Sequence, residues 1–259
     1  MEPTDSSTAS PSDSEVNPPA NTNEAPAQAP AETQSPAQQA MVEQHILSRL
    51  QQSPHEHIIA IVSTPNAVGL PLTFRPIEDD SFIPLDMVEI TFETPNSFSH
   101  GIVLPICRAL GHLHGLEMIH RDLKPESVLI GDQGQVKLTG FGSASAKVHA
   151  STLIGTPEFM APEIILAKPY SAAVDWWALG CLVSELLTGK TPFAVSEGNV
   201  KLLVRKIVYE PIVVPQHERA GPVETAFIEG LLERLPSMRL GVLGCAQVLT
   251  SAFFHADGA

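Results

Sequence analysis

The sequence predicts an α+β protein in which a few short strands accompany a larger, mostly helical part. Apolar runs at residues 57–62 and 69–74 indicate one hairpin, and a second strand pair is indicated at 128–130 and 135–139. Residues 174–183 are apolar on most sides of a helix, which is typical of a helix at the centre of a domain. These patterns place a small sheet beside a helical core.

Length, charge and cysteine content limit the partners of the protein. The 259 residues carry a net charge of −14, which predicts no electrostatic surface for nucleic acid or an anionic membrane. The chain has no apolar run of about eighteen residues and no basic start followed by an apolar segment, so no membrane span or signal peptide is expected. Cys107, Cys181 and Cys245 are widely spaced and predict buried thiols of an intracellular protein, cytoplasmic or nuclear.

Residues 1–40 differ in composition from the rest of the chain. They consist mainly of Pro, Ala, Ser, Thr, Gln, Asn and acidic residues, with no Lys, Arg or aromatic residue. Such a segment buries too little apolar area to offset its chain entropy, which predicts a disordered acidic tail. A second, short tail is expected at residues 256–259.

Residues 41–85 are predicted to form a small unit of one helix, two strands and a hinge. Apolar residues recur on one face of the helix at Val42, Ile46, Leu47 and Leu50. The first hairpin follows, and the hinge is placed near residues 75–82. Two strands and one helix leave an open sheet edge, which another segment or a partner has to cover.

Residues 86–255 are predicted to form the larger, helical unit. Before the central polar loop, apolar residues repeat at helical spacing at Ile106, Ala109, Leu110 and Leu113. Pro105 is expected to kink that helix or to start its regular part. The central helix ends at Thr188-Gly189, a typical stop, and further helices are predicted at 200–208, 223–232 and 246–254.

His112 and His114 raise the question of a metal site, because Cys107 and His120 are near in sequence. Residues two apart point to different sides of a helix, so the two imidazoles are not expected to share a zinc ion. No metal ligand is assigned.

The loop at 119–130 carries the most specific motif in the chain. Its residues, Ile-His-Arg-Asp-Leu-Lys-Pro-Glu-Ser-Val-Leu-Ile, resemble the catalytic loop of a serine/threonine protein kinase. The resemblance covers about residues 41–255 and implies a protein kinase-like fold with a large helical C-terminal lobe and a truncated N-terminal lobe. It also implies that Asp122 is the catalytic base and that Lys124 faces the transferred phosphate.

The positions that hold ATP and magnesium in this family are degenerate here. Ser127 stands where the family has Asn, and Gly140, in Gly-Phe-Gly, stands where it has the Asp that binds magnesium. Leu129 belongs to the same set of cofactor-binding positions by resemblance. Because Ser127 and Gly140 lack the expected groups, ATP and Mg²⁺ are expected as cofactors only if the protein is active.

The next segment resembles the activation and substrate-binding segments of the family. Residues 143–153 are small and polar, with hydroxyls for phosphorylation at Ser143, Ser145, Ser151 and Thr152. The resemblance implies that Arg121 would bind such a phosphate, although an unmodified loop is the default. Residues 155–163 match the substrate-binding segment, in which Thr156 bridges the catalytic Asp and Lys in serine/threonine kinases.

Four residues are assigned to an apolar stack by resemblance. Phe141 packs beside the first helix and against His120 in such a stack, and Leu47 and Ile61 occupy its other positions. Glu43 matches a family Glu that pairs with a strand Lys. No such Lys precedes it, so a solvated carboxylate is expected at Glu43.

Three further residues are expected to support the large lobe. Asp175 matches the family residue that fastens the backbone of the catalytic loop. Glu163 is expected to pair with Arg239, and removing one partner of such a buried pair costs about 3–5 kcal/mol.

The preferred hypothesis is a pseudokinase that acts as a binding scaffold for a protein partner. It rests on Ser127 and Gly140, and on the absence of a Gly-rich loop and a strand Lys. The alternative is an active serine/threonine kinase that transfers the γ-phosphoryl group of ATP to a protein substrate with Asp122 as base. A third alternative is a fragment of a longer kinase, and the oligomeric state is left open.

Overall fold

The computed structural model describes residues 36–58, 82–87, 98–131, 134–146, 153–196 and 198–255. The helices, numbered α1 to α7, are Pro36–Gln52, Leu104–Gly115, Pro162–Ile165, Ala173–Thr188, Val200–Val208, Pro222–Leu231 and Cys245–Leu249. The strands, β1 to β3, are Phe82–Pro84, Val128–Gly131 and Val136–Leu138. None of the helices in these ranges has the length and hydropathy needed to span a membrane.

Helix α1 begins at Pro36, five residues before the predicted boundary between tail and small unit. Residues 36–40 share the composition on which the tail is predicted, with no Lys, Arg or aromatic residue. Proline is nevertheless tolerated in the first turn of a helix, and Ala and Gln favour its interior. Ile46, Leu47 and Leu50 are buried, and α1 packs against the turn Phe141–Ser143. Residues 1–35 of the predicted tail lie outside the described residues.

The sheet has the order β1-β2-β3 and is antiparallel throughout. The predicted hairpin of β2 and β3 is confirmed, with Ile130 opposite Val136. Strand β1 was not predicted: its three residues lie at the end of the expected hinge and include a proline, so they show no strand pattern. Of the predicted N-terminal hairpin and hinge, residues 59–81 lie outside the described ranges, and Ile58 forms a single parallel bridge with Leu138.

Helix α2 supports the catalytic-loop motif and agrees with its sequence pattern. A π-helical turn, Ser99–Val103, precedes it, and Pro105 lies in its first turn, as predicted for the start of the regular part. Ile106, Leu110 and Leu113 are fully or almost fully buried, because the apolar positions recur on one face.

Helix α4 is the central helix of the larger unit, as predicted. Its residues 173–184 are all buried, and it ends at Gly189, whose left-handed φ of 76° allows its N–H to bond the Glu185 carbonyl. Gly180 permits a close approach of α6, since a Cβ atom there would lie 2.9 Å from the Cβ atom of Leu231. The helix is therefore fixed in the core, and its first turn carries the buried Asp175.

The predicted helices at 200–208 and 223–232 are confirmed by α5 and α6 within one residue at each end. The predicted helix at 246–254 is wrong in its second half. There the chain forms α7 and then a separate 3₁₀ turn, Ala252–Phe254, because the Ser251 hydroxyl accepts the Phe253 N–H and caps a new turn.

Candidate functional site

The loop that follows α2 is held by one buried carboxylate. Asp175 accepts hydrogen bonds from the backbone N–H groups of His120 (2.9 Å) and Arg121 (2.8 Å). Its Oδ2 atom also lies 2.8 Å from Nε2 of His114. Burial acts to raise the pKa of Asp175, but the His114 hydrogen bond and charge, with the other donors, lower it below its ordinary value. His114 was missed as a site residue because its partner lies 61 positions away.

Asp122, Lys124 and Thr156 form a compact polar triangle. Asp122 Oδ1 accepts bonds from the Thr156 hydroxyl (2.8 Å) and backbone N–H (2.9 Å). Lys124 Nζ donates to Thr156 Oγ1 at 3.0 Å and lies 3.6 Å from Asp122 Oδ2. The three residues predicted as catalytic are therefore brought together, with both charged side chains still partly exposed. In this arrangement the Asp122 carboxylate can accept a proton, and the Lys124 ammonium can bind an anion.

Ser127 and Gly140, the predicted cofactor positions, face each other without a metal-binding group. The Ser127 hydroxyl donates to the Lys124 carbonyl (2.7 Å) and accepts the Lys124 N–H (2.9 Å), so it closes its own turn. Gly140 has a left-handed φ of 82°. A Cβ atom at Gly140 would lie 3.1 Å from the Cβ atom of Ser127.

The residues present do not fit a magnesium ion at this site. The Ser127 hydroxyl is engaged in two hydrogen bonds with the Lys124 backbone, and Gly140 offers no side-chain oxygen. Leu129, the third predicted cofactor position, lies in β2 opposite Pro84 and Lys137 and is half-buried. In the part of the chain that the structure describes, no group of three His, Cys, Asp or Glu side chains is placed to hold a metal ion.

Arg121 holds the start of the following segment. Its guanidinium donates to the carbonyl oxygens of Ser143 (2.5 Å) and Ala144 (3.0 Å) and to the Tyr170 hydroxyl (3.4 Å). Ser145 continues this attachment, because its backbone exchanges two hydrogen bonds with Ile119. Binding of a phosphate by Arg121 stays a prediction, and the predicted phosphorylation sites at 151–152 lie outside the described residues.

His120 and Phe141 form the apolar stack in its described part. Their ring centroids are 5.4 Å apart, and His120 Nε2 lies 2.8 Å from the Thr139 carbonyl. Burial lowers the pKa of His120, so the neutral imidazole is favoured. Leu47 is buried in α1, which packs against the Phe141 turn. Ile61 and the side chain of Glu43 lie outside the described part.

The substrate-binding segment resembling that of kinases is anchored by an ion pair between Glu163 and Arg239. The two guanidinium nitrogens lie 2.7 and 3.0 Å from the two carboxylate oxygens, and both side chains are buried. Arg239 also donates to the carbonyls of Ala173 and Glu233 and lies over the Trp177 ring at 5.2 Å. The expected pair is therefore present, and both carboxylate oxygens of Glu163 accept a hydrogen bond.

Three carboxylates gather beside this segment. Burial raises the pKa of Glu185, and the charges of Glu158 and Glu126 raise it further. The Glu185 Oε2 atom is buried and has no hydrogen-bond partner among the described residues. No local pattern in the sequence indicates this group, because Glu126 lies in the catalytic-loop motif, Glu158 in the following segment and Glu185 in α4.

Comparison with known proteins agrees with the loop geometry. A family profile described as "Protein kinase domain" matches residues 25–254. The chain belongs to the protein kinase family. The predicted resemblance and the α+β kinase-like fold are thereby confirmed.

Similar kinases come from several organisms. Over 210 residues the chain is 35% identical to "Protein kinase 2" of Dictyostelium discoideum, covering 76% of this chain and 43% of that protein. It is 36% identical to "Serine/threonine-protein kinase Sgk2" of Rattus norvegicus, covering 70% and 51%. It is 40% identical to "Serine/threonine-protein kinase YPK2/YKR2" of Saccharomyces cerevisiae, covering 56% and 22%. The chain thus spans about half or less of the length of these relatives.

Proposed function

We propose that this kinase-family domain is a pseudokinase that serves as a binding scaffold for a protein partner. The observation that carries the proposal is the state of the two magnesium positions. The Ser127 hydroxyl forms hydrogen bonds with the backbone of Lys124, and Gly140 has no side chain. A kinase domain without either group lacks the side chains that bind the magnesium bridging the phosphates of ATP.

The expected loss of catalysis is large. Removing a single group that stabilises charge in a transition state typically costs about 10²- to 10³-fold in rate. Two such groups act on the same metal-nucleotide unit, so their losses need not multiply. With both groups lost, a kinase whose typical turnover is about 1–100 per second is expected to keep little useful activity.

The retained features support binding of a peptide segment. Asp175 fixes the loop backbone, and the pair of Glu163 and Arg239 fixes the substrate-binding segment, so the surface between them is formed in advance. Preorganisation of this kind lowers the entropic cost of association. The carboxylates of Glu126, Glu158 and Glu185 favour a partner segment with a cationic side chain.

One observation favours the alternative, an active serine/threonine kinase. Asp122, Lys124 and Thr156 are joined by hydrogen bonds of 2.8 to 3.0 Å, which leaves a base and a cation in place. Under this alternative Asp122 accepts the proton of a substrate hydroxyl.

The deciding experiment measures the melting temperature of the full chain with ATP, in Mg²⁺ and in EDTA. A ligand present at about 100 times its dissociation constant stabilises by about 2.7 kcal/mol. The scaffold proposal expects no Mg²⁺-dependent rise and no phosphate transfer to a Ser-containing basic peptide. A rise that requires Mg²⁺, with transfer abolished by Asp122→Asn, would establish the kinase instead. Ser196→Ala, at a position outside the polar triangle, is the matched control for the substitution.

A further inference from the structure

Three imidazoles meet where the chain leaves α1. His55 and His57 lie in the segment after the helix, and His112 lies in α2. The rings of His55 and His112 are stacked, with centroids 4.8 Å apart and planes at 29°. The rings of His55 and His57 are 5.6 Å apart. We refer to these three residues as the imidazole cluster.

The cluster joins α1 to α2 and to the sheet through hydrogen bonds. His112 Nε2 lies 2.8 Å from the Ser53 carbonyl, which can only accept, so this nitrogen carries the proton. His57 Nδ1 lies 3.3 Å from the Val136 carbonyl, so by the same reasoning Nδ1 is the protonated nitrogen of His57. The backbone carbonyl of His57 also accepts the Leu138 N–H at 2.8 Å. The cluster therefore holds the end of α1 against two other elements.

His55 is the member whose bond requires the neutral form. Its Nδ1 accepts the backbone N–H of His57 at 3.2 Å, so this nitrogen carries no proton. Protonation of His55 would place a proton on Nδ1, turning the acceptor into a donor that faces another donor. The hydrogen bond would then be replaced by repulsion.

The charges around His55 also oppose its protonation. His57 on its own segment and His112 and Arg108 on α2 disfavour a positive charge, and Glu56 alone favours it. Glu56 is itself drawn to His57, whose Nε2 lies 3.4 Å away. On β3 the group that contacts the cluster is the uncharged Val136 carbonyl, which lies beside His57. The charged neighbour on that strand, Lys137, lies over the Phe82 ring. In the last turn of α1 the charged residue is Arg49.

We infer that the imidazole cluster is a pH-dependent latch, which holds residues 53–58 against α2 and β3 while His55 is neutral and releases them when it gains a proton. Release frees the C-terminal end of α1. Helix α1 as a whole packs against the turn Phe141–Ser143. The latch therefore links pH to the position of the helix beside the candidate site. This inference is independent of whether the domain transfers phosphate.

The direction of the pH effect follows from the environment. Burial, then His112 and His57, lowers the pKa of His55 below its ordinary value of 6.5. The released form therefore binds a proton more readily than the closed form. The closed latch has its full stability above about pH 6.5 and loses it as pH falls through the lower, folded pKa. Burial lowers the pKa of His120 as well, so global unfolding is not a specific readout.

Hydrogen exchange of the full chain tests the latch locally. The reporters are the amides of His57 and Leu138, whose bonds close it, and the reference is the buried amides of α4. Between about pH 7.5 and about pH 5.5, after correction for intrinsic rates, reporter protection is expected to fall relative to α4, because the released form takes up a proton more readily than the closed form. Equal changes in reporters and reference would overturn the inference.

His55→Asn removes the titration but retains an acceptor, because the Asn Oδ1 atom can replace Nδ1. In this variant the reporters should show the same protection at both pH values, while the matched control His45→Asn, at an exposed position in α1, keeps the pH dependence. A pH-dependent loss that persists in His55→Asn refutes the latch. If that variant does not fold, a titration of the wild-type protein by NMR decides: the His55 ring and the His57 amide must share one midpoint, and separate midpoints refute it.

Discussion

Ser127 and Gly140 face each other so closely that a Cβ atom at Gly140 would lie 3.1 Å from the Cβ atom of Ser127. Both stand, by resemblance to the kinase family, at the positions predicted to hold magnesium, and both are small here. The Ser127 side chain closes its own turn through Lys124, while Gly140 takes a left-handed conformation. A side chain at Gly140 would therefore meet both the Ser127 side chain and an unfavourable backbone conformation.

We expect Gly140→Ala to destabilise the protein by about 1–2 kcal/mol, because a left-handed conformation costs an L-residue roughly that amount. The short contact with Ser127 adds to this cost. Urea denaturation followed by circular dichroism measures the change. Gly115→Ala is the control, since Gly115 lacks a positive φ and has open space around it. Equal changes in the two variants would show that the Gly140 backbone is not under this constraint.

The pair of Glu163 and Arg239 gives a larger effect. Glu163→Gln leaves the buried guanidinium of Arg239 without its counter-charge, so a loss of about 3–5 kcal/mol in the free energy of unfolding is expected. The pair of Arg205 and Glu210, at 2.8 Å, is the matched comparison, because its side chains are 70% and 31% exposed. Glu210→Gln should cost less than about 1 kcal/mol in the same measurement. A Glu163 effect as small as that of Glu210 would contradict the role of the buried pair.

The sequence predicted well those parts of the fold that depend on local pattern. Helix α2 carries buried residues on one face, and α4 is apolar all round, so both were assigned correctly. Strand β1 was missed because its three residues gain their structure from pairing with β2, which a local pattern does not report. The break after α7 depends on one hydroxyl, Ser251, and was missed for the same kind of reason.

The candidate site was predictable only where it lies in a contiguous motif. Asp122 and Lys124 stand two residues apart, and the motif suggested their relation to Thr156. The carboxylate group of Glu126, Glu158 and Glu185 becomes visible only when three distant segments pack together. The imidazole cluster likewise depends on contacts across 59 positions, between Ser53 and His112, where no periodic signal exists.

Asp175 is expected to make the protein sensitive to acid. Because its pKa is lowered in the folded state, the carboxylate contributes stability that is present above the ordinary value of 3.8 and is lost as pH falls through the folded value. Asp175→Asn should lose at least one charge-assisted bond to the loop backbone, at a cost of about 1.5–3 kcal/mol near neutral pH.

The measurement for Asp175 is the free energy of unfolding as a function of pH. The wild-type curve should fall more steeply than that of Asp175→Asn below about pH 4. Asp86→Asn, at an exposed position, serves as the control and should leave the slope unchanged. Parallel curves for wild type and Asp175→Asn would mean that another group carries the acid sensitivity.

Glu185 should show opposite effects on stability and on binding. Burial and the charges of Glu158 and Glu126 raise its pKa, so the folded state disfavours the ionised form as pH rises above the ordinary value of 4.5. Glu185→Gln is therefore expected to raise the melting temperature at neutral pH. It should also weaken binding of an Arg-containing peptide by about tenfold, the effect of losing one charge-assisted hydrogen bond of about 1.5 kcal/mol.

Calorimetric titration and thermal unfolding of the same samples test the two effects together. Glu229→Gln, at an exposed position in α6, is the control and should change neither quantity. A residue that serves only the fold loses stability when it is altered, whereas a binding residue held in an unfavourable environment gains stability and loses affinity. A lower melting temperature in Glu185→Gln with unchanged affinity would assign this carboxylate to the fold and remove the basis for a cationic partner.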